Sequence, residues 1–184
     1  MDPSQLIESL TALVGADKVS GEGSDIEEHS IDKWLVGHPP DAVVFAESTE
    51  DVVAVMKFSH QKGVPVTTRG AGVGYVGGAV PVRGGIVLSV ARMNSIKEIN
   101  IEDGVAIVGS GLITGTLQDA TRDLGWFYPP DPASLEECSI GGNVATNAGG
   151  PRCLKYGVTR NYILGLEVVL ADGTVARLGG RCHK

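Results

Sequence analysis

Asp131-Pro-Ala-Ser-Leu-Glu-Glu-Cys-Ser-Ile-Gly-Gly-Asn-Val-Ala-Thr-Asn-Ala-Gly-Gly150 is the most specific stretch of this chain. Ser139, Gly141, Gly142, Ala145, Ala148 and Gly149 leave almost no side-chain bulk along it. Asn143 and Asn147 stand i, i+4, the spacing of one face of a helical turn, and their amides can donate and accept. A flat, polar ring system lying against bare backbone accounts for this pattern. A close helix–helix contact is the other use of such small residues.

Outward from this stretch the pattern is regular. Phe127-Tyr128-Pro129-Pro130-Asp131-Pro132 must be extended, because prolines forbid a helix there. Before it, residues 114–124 read as a helix stopped by Gly125. Residues 85–90, 96–101 and 105–109 read as strands, the last two joined as a hairpin at Glu102-Asp103-Gly104. Beyond Gly150, residues 164–170 and 175–178 read as strands around an Asp172-Gly173 turn. Residues 179–184 look like a loop that leaves a strand edge unpaired, which suggests a C-terminally truncated piece of a longer protein.

The first glycine cluster along the chain follows a βαβ pattern. Ala42-Val43-Val44-Phe45 is a buried strand, Ser48 caps a helix that Gly63 stops, and residues 64–68 form a strand parallel to the first. The chain then enters Arg69-Gly70-Ala71-Gly72-Val73-Gly74-Tyr75-Val76-Gly77-Gly78. Gly72 to Gly77 matches G-x-G-x-x-G, but the dinucleotide fold needs a helix to open there. Gly78, Pro81, Gly84 and Gly85 preclude one. What remains is a loop whose successive amides can form an anion-binding concavity, with Arg69 at its mouth as a fixed positive charge, or else a plain glycine-rich hairpin loop with Arg69 solvated.

Pro3 opens a first helix with Leu6, Ile7, Leu10, Leu13 and Val14 on one face, closed by Gly15. Residues 16–41 read as a polar surface connection. The expected organisation is therefore an N-terminal helix with its connecting segment over 1–40, and one domain over 41–184. That domain is α+β, with a small βαβ lobe followed by a larger mixed and mostly antiparallel lobe.

Bulk properties narrow the function. The 184 residues carry a formal charge of −7, which argues against a broad nucleic-acid surface. Cys138, Cys153 and Cys182 show neither CxxC nor metal-ligand spacing, so no metal site is expected, and reduced thiols in the cytosol are the reading. No apolar run could span a bilayer. His29, His38, His60 and His183 are isolated, without a partner for acid–base work, so no catalytic residue is assigned here.

Together these motifs resemble the PCMH-type FAD-binding domain of the vanillyl-alcohol oxidase/p-cresol methylhydroxylase flavoprotein family. The carriers are Arg-Gly-Ala-Gly with its surroundings from Pro65 to Ala79, Pro-Pro-Asp-Pro-Ala-Ser, and Ile-Gly-Gly-Asn-Val-Ala-Thr-Asn-Ala-Gly-Gly. Tyr156-Gly157 and Val168–Gly173 continue the likeness, which is strongest toward the glycolate oxidase FAD subunit and D-lactate dehydrogenase. The resemblance implies that Arg69, Gly70, Ala71, Gly72, Val73, Gly74, Gly77 and Gly78 wrap the FAD pyrophosphate. It implies that Pro130, Asp131 and Ser134 line the path toward the flavin. Ile140, Gly141, Gly142, Asn143, Asn147 and Gly149 would back the ring and ribityl chain.

Relatives with covalent flavin often carry histidine where Val73 stands, so FAD is expected to be non-covalent. The closest branch usually has threonine there and a leucine–serine pair near Tyr75-Val76, which are departures in this chain. The implied activity is oxidation of a small 2-hydroxy acid, glycolate or D-lactate, with substrate-handling residues in a C-terminal cap domain; the chain alone is expected to be inactive. An iron–sulfur electron-transfer subunit would suit the glycolate oxidase branch. The expected location is cytoplasmic, with a peripheral membrane position also open. Two other readings stand beside this one: a UDP-N-acetylenolpyruvoylglucosamine reductase-like domain, which tends to show Ile-Pro-Gly at Ile140-Gly141-Gly142, and a flavin- or partner-binding module without chemistry.

Overall fold

Helix α1 (Pro3–Val14) begins where a capping side chain and a proline coincide, with Asp2 accepting the Ser4 amide and proline in the first turn. Leu6 and Leu10 are its buried residues, one helical turn apart. The computed structural model describes residues 1–34 and 36–182. His183 and the end of the expected 179–184 loop lie outside the described residues. The described chain divides into two compact units, Met1–Arg92 with Val168–Ala176, and Met93–Glu167 with the residues from Arg177 on.

The first unit continues through β1 (Val19–Ser20), α2 (Ser24–His29), β2 (Ala42–Phe45), α3 (Thr49–Lys62), β3 (Val66–Arg69) and β4 (Ile86–Ser89). Ser48 accepts the Asp51 amide at the start of α3, and Gly63 closes it in the left-handed conformation. The strand order is β1-β2-β4-β3. β2 and β3 share a direction, as a helical crossover requires, but neither touches the other: each pairs in parallel with β4. The expectation that β4 belongs to the later antiparallel lobe is corrected here. Its run Ile86-Val87-Leu88-Ser89 is buried throughout, so it takes the centre of the sheet, while the threonines of β3 suit the edge.

Residues 16–41 also differ from a plain surface connection. β1 pairs antiparallel with β2, Val19 opposite Val44, and both His29 and Asp32 are buried. An edge strand of two residues carries too little pattern to be read from sequence.

The second unit opens with the hairpin of β5 (Ile96–Asn100) and β6 (Val105–Val108), antiparallel with a register shift between Ile96 and Glu98. It continues with α4 (Thr114–Arg122), the extended residues 126–132, α5 (Ile140–Thr146) and α6 (Cys153–Tyr156). Leu112, Leu117 and Ile140 are its buried apolar centre, with Ile96, Ala106, Val108, Tyr128 and Val144 against them. β7 (Gly165–Val169) and β8 (Val175–Gly179) form a further two-stranded sheet. The whole is α+β. Among the described residues no helix is long and apolar enough to cross a membrane.

Candidate functional site

In the first unit β3 delivers the chain into the glycine-rich loop, which returns to β4 without a helix among the described residues. Arg69 does not stand open at the mouth of this loop. It is only 6% exposed, and its guanidinium donates from Nη1 to the carbonyls of Ile31 (2.7 Å) and Ala79 (3.5 Å) and from Nη2 to that of Glu28 (3.1 Å). Burial pulls its pKa down, and the charges of Glu28 and Asp32 pull it back up. A guanidinium so buried needs these carbonyls, because its donors would otherwise lose water without replacement.

The glycines of this loop fall into two kinds. A Cβ on Gly72 would stand 2.1 Å from Nη2 of Arg69, so that glycine is required by the protein's own packing. Gly74 and Gly78 are different: both are exposed, and a Cβ would meet nothing at Gly74 and only Val76 at 4.0 Å at Gly78. Neither has a positive φ. No internal contact or backbone conformation explains their bareness, which fits a surface that something else approaches closely. Gly77 donates its amide to the carboxylate of Asp32 at 2.8 Å, and Lys33 donates its amide to the Gly74 carbonyl at 3.2 Å. Gly70, Ala71 and Val73 are half-buried between these anchors.

In the second unit the extended segment and the second glycine stretch are held together by α4. Gln118 sends both donors of its amide inward, to the carbonyls of Tyr128 (3.0 Å) and Pro130 (2.7 Å). Thr114 donates to the Cys138 carbonyl at 3.1 Å and accepts from Asn143 Nδ2 at 2.7 Å. A Cβ on Gly150 would fall 1.7 Å from the Asp131 carbonyl oxygen, and one on Gly141 would fall 2.8 Å from Ser110. Both glycines are thus needed for close backbone packing. Gly142 lies under its cap residue Ser139, whereas Gly149 would accept a Cβ at ordinary contact distances.

Asn143 and Asn147 do not share a helix face. Asn143 points into the core, 3% exposed, and α5 ends before Asn147, which turns left-handed (φ 51°) and accepts the Arg160 amide on its side chain. Asparagine adopts that conformation more readily than most residues, so the helix stops one residue before the pair could align. Pro130 is buried, and Ser134 accepts the Glu137 and Cys138 amides on its carbonyl. Asp131 is paired with Arg152 at 3.1 Å, and that guanidinium lies over Phe127.

Asp32 in the first unit, and Thr114, Gln118 and Tyr128 in the second, belong to the frameworks of these two stretches without having been singled out from sequence. Thr114, Leu117, Gln118 and Thr121 are buried along one face of α4. A helix face polar at three of four buried positions is a readable signal that backbone groups, not apolar ones, lie beneath it. Tyr128 has a buried hydroxyl without a hydrogen-bond partner among the described residues, and burial pushes its pKa up to about 12. His29 is buried, its Nδ1 at the Asp25 carbonyl and its ring edge-on to Phe45, while His38 and His60 are exposed. No group of three or more metal-ligating side chains occurs among the described residues.

The family model for the FAD binding domain matches residues 40–179, which takes in both glycine stretches. The chain is 45% identical over 145 residues to the glycolate oxidase subunit GlcD of Bacillus subtilis, covering 79% of this chain and 31% of that protein. It is 46% identical over 142 residues to a D-lactate dehydrogenase of Archaeoglobus fulgidus, covering 77% of this chain and 32% of that one. Among solved structures, p-cresol methylhydroxylase superposes with a TM-score of 0.77 at 28% identity, over 95% of this chain and 35% of that chain. The chain spans about a third of the length of the relatives it matches.

Proposed function

The chain belongs to the FAD binding domain family, and on that footing we propose that it is the cofactor-holding part of an oxidoreductase acting on a small 2-hydroxy acid of the glycolate or D-lactate type. The observation that carries this reading is the kinship to a glycolate oxidase subunit and a D-lactate dehydrogenase across more than three quarters of the chain. The unexplained bareness of Gly74 and Gly78 supports the cofactor half of it independently.

In this reading the loop from Arg69 to Gly78 receives the pyrophosphate, with bare backbone at Gly74 and Gly78 allowing close approach. Pro130, Asp131 and Ser134 with Ile140, Gly141, Gly142, Asn143, Asn147 and Gly149 form the framework for the flavin half. Gln118 and Thr114 orient that framework by fixing the carbonyls around it. Bound FAD supplies a two-electron acceptor for the hydride equivalent of the hydroxy acid. Val73 offers no nucleophile, so attachment is non-covalent. In this reading residues that hold the substrate carboxylate and take its hydroxyl proton belong to the rest of the protein, and an iron–sulfur subunit is the electron acceptor.

The test is a visible spectrum of the whole protein, taken before and after anaerobic addition of D-lactate or glycolate. Flavin bands that bleach with either acid, and FAD recovered free after acid precipitation, are the expected results. Bands that bleach only with NADPH would replace this reading with the reductase one. A protein that neither holds nor takes up FAD would end it.

A further inference from the structure

A loop that wraps a ligand binds well only if its shape is set beforehand, since ordering a glycine-rich segment on binding costs conformational entropy. In the first unit the shape of the 70–78 loop is set by a short segment that precedes it by some forty residues of sequence. Arg69 donates to the Glu28 and Ile31 carbonyls, Lys33 donates to the Gly74 carbonyl, and Asp32 accepts from Gly77. Every one of these partners lies before residue 40, where the match to the family begins.

We propose that Asp32 is a positioning residue of the cofactor loop: its carboxylate takes the Gly77 amide for the protein and so fixes the direction of the amides left to face the cofactor's phosphates. Asp32 itself does not touch the cofactor. The geometry is specific for a carboxylate. Its two oxygens each receive one backbone donor at 2.8 Å, Oδ1 from Trp34 and Oδ2 from Gly77, and the residue is only 5% exposed. Asparagine could serve one of these donors, but would turn its own NH2 against the other. The buried guanidinium of Arg69 acts at the same place from the other side, tying both the segment and Ala79 at the far end of the loop. The charge of Asp32, with that of Glu28, opposes the desolvation of Arg69 and so favours the charged form of the buried guanidinium.

This inference rests on the FAD reading above. It is tested in the whole protein by FAD titration of the wild type, Asp32→Ala and Asp32→Asn, with Glu22→Ala as an exposed control. Thermal midpoints of the FAD-free proteins and the visible spectrum at saturating FAD are measured alongside. Both Asp32 variants are expected to weaken FAD about tenfold or more, because the loop they leave unfixed must be ordered on binding. Because Asp32 is buried, the FAD-free midpoints of both variants should fall, but by less than the loss of affinity requires; the spectrum of the bound flavin should match the wild type, and Glu22→Ala should bind as the wild type does. Should Asp32→Ala not fold, Asp32→Asn carries the same readings. Unchanged FAD affinity in the variants, or a loss that follows an equal fall in the FAD-free midpoint, overturns the positioning role. A wild type that does not bind FAD overturns the functional reading instead.

Discussion

The guanidinium of Arg69 occupies the space that a side chain on Gly72 would need: a Cβ there would stand 2.1 Å from Nη2 and 2.3 Å from Cζ. The glycine and the arginine are therefore one packing unit, and Gly72 carries a positive φ of 70° besides. Gly72→Ala is expected to cost about 1–3 kcal/mol, the usual range for overpacking a well-packed site. Urea unfolding of the FAD-free protein measures it, and an unchanged midpoint would show that Arg69 can leave without loss.

Gly78 makes the opposite case. Nothing inside the protein requires its bareness, since the nearest atom to a Cβ there is 4.0 Å away. Gly78→Val should leave the urea midpoint of the FAD-free protein within about 0.5 kcal/mol, as an exposed substitution does. It should weaken FAD by about tenfold or more if the backbone there meets the cofactor, a factor of about 1.4 kcal/mol. Wild-type affinity in this variant would remove Gly78 from the site.

Gln118 holds the carbonyls of Tyr128 and Pro130 at 3.0 and 2.7 Å. Gln118→Leu keeps the volume of a buried side chain but leaves both carbonyls without this donor. A loss of about 1–3 kcal/mol in stability is expected from denaturant unfolding. Because the extended segment would then drift, the visible spectrum of bound flavin should shift as well. A stable variant with an unaltered spectrum would mean that the prolines alone hold the segment.

Tyr128 has a buried hydroxyl with no partner among the described residues, and burial holds its pKa up at about 12, against about 10 for a free phenol. The folded state thus keeps the proton more tightly than the unfolded chain does. This contribution is intact below about pH 10 and is lost as the pH rises from there toward 12. Tyr128→Phe should change stability at pH 8 by less than about 1 kcal/mol, because no hydrogen bond is broken. The wild type should then lose stability relative to this variant above pH 10, and parallel curves would show that the phenol is not protected.

Local chemistry was legible along much of the chain. The caps of α1 and α3, the β5–β6 hairpin and the extended Pro129-Pro130 segment were all readable, because each is decided by residues within a few positions of one another. The place of β4 was not, because strand order depends on which run is most apolar across the whole sheet. The direction of Asn147 was missed for a smaller reason. An i, i+4 spacing assumes that the helix continues, and α5 ends at Thr146.

From the sequence alone came the membership in a flavin-binding family and the two glycine stretches that carry it, since small residues and free amides are properties of composition in a row. Which glycines serve the fold and which face outward was decided only in three dimensions. Gly72 and Gly74 look alike in sequence, yet one lies under a guanidinium and the other under open space. The role of Asp32 is of the same kind. A carboxylate 45 residues from the amide it receives leaves no periodic trace, because only the folded chain brings them to 2.8 Å.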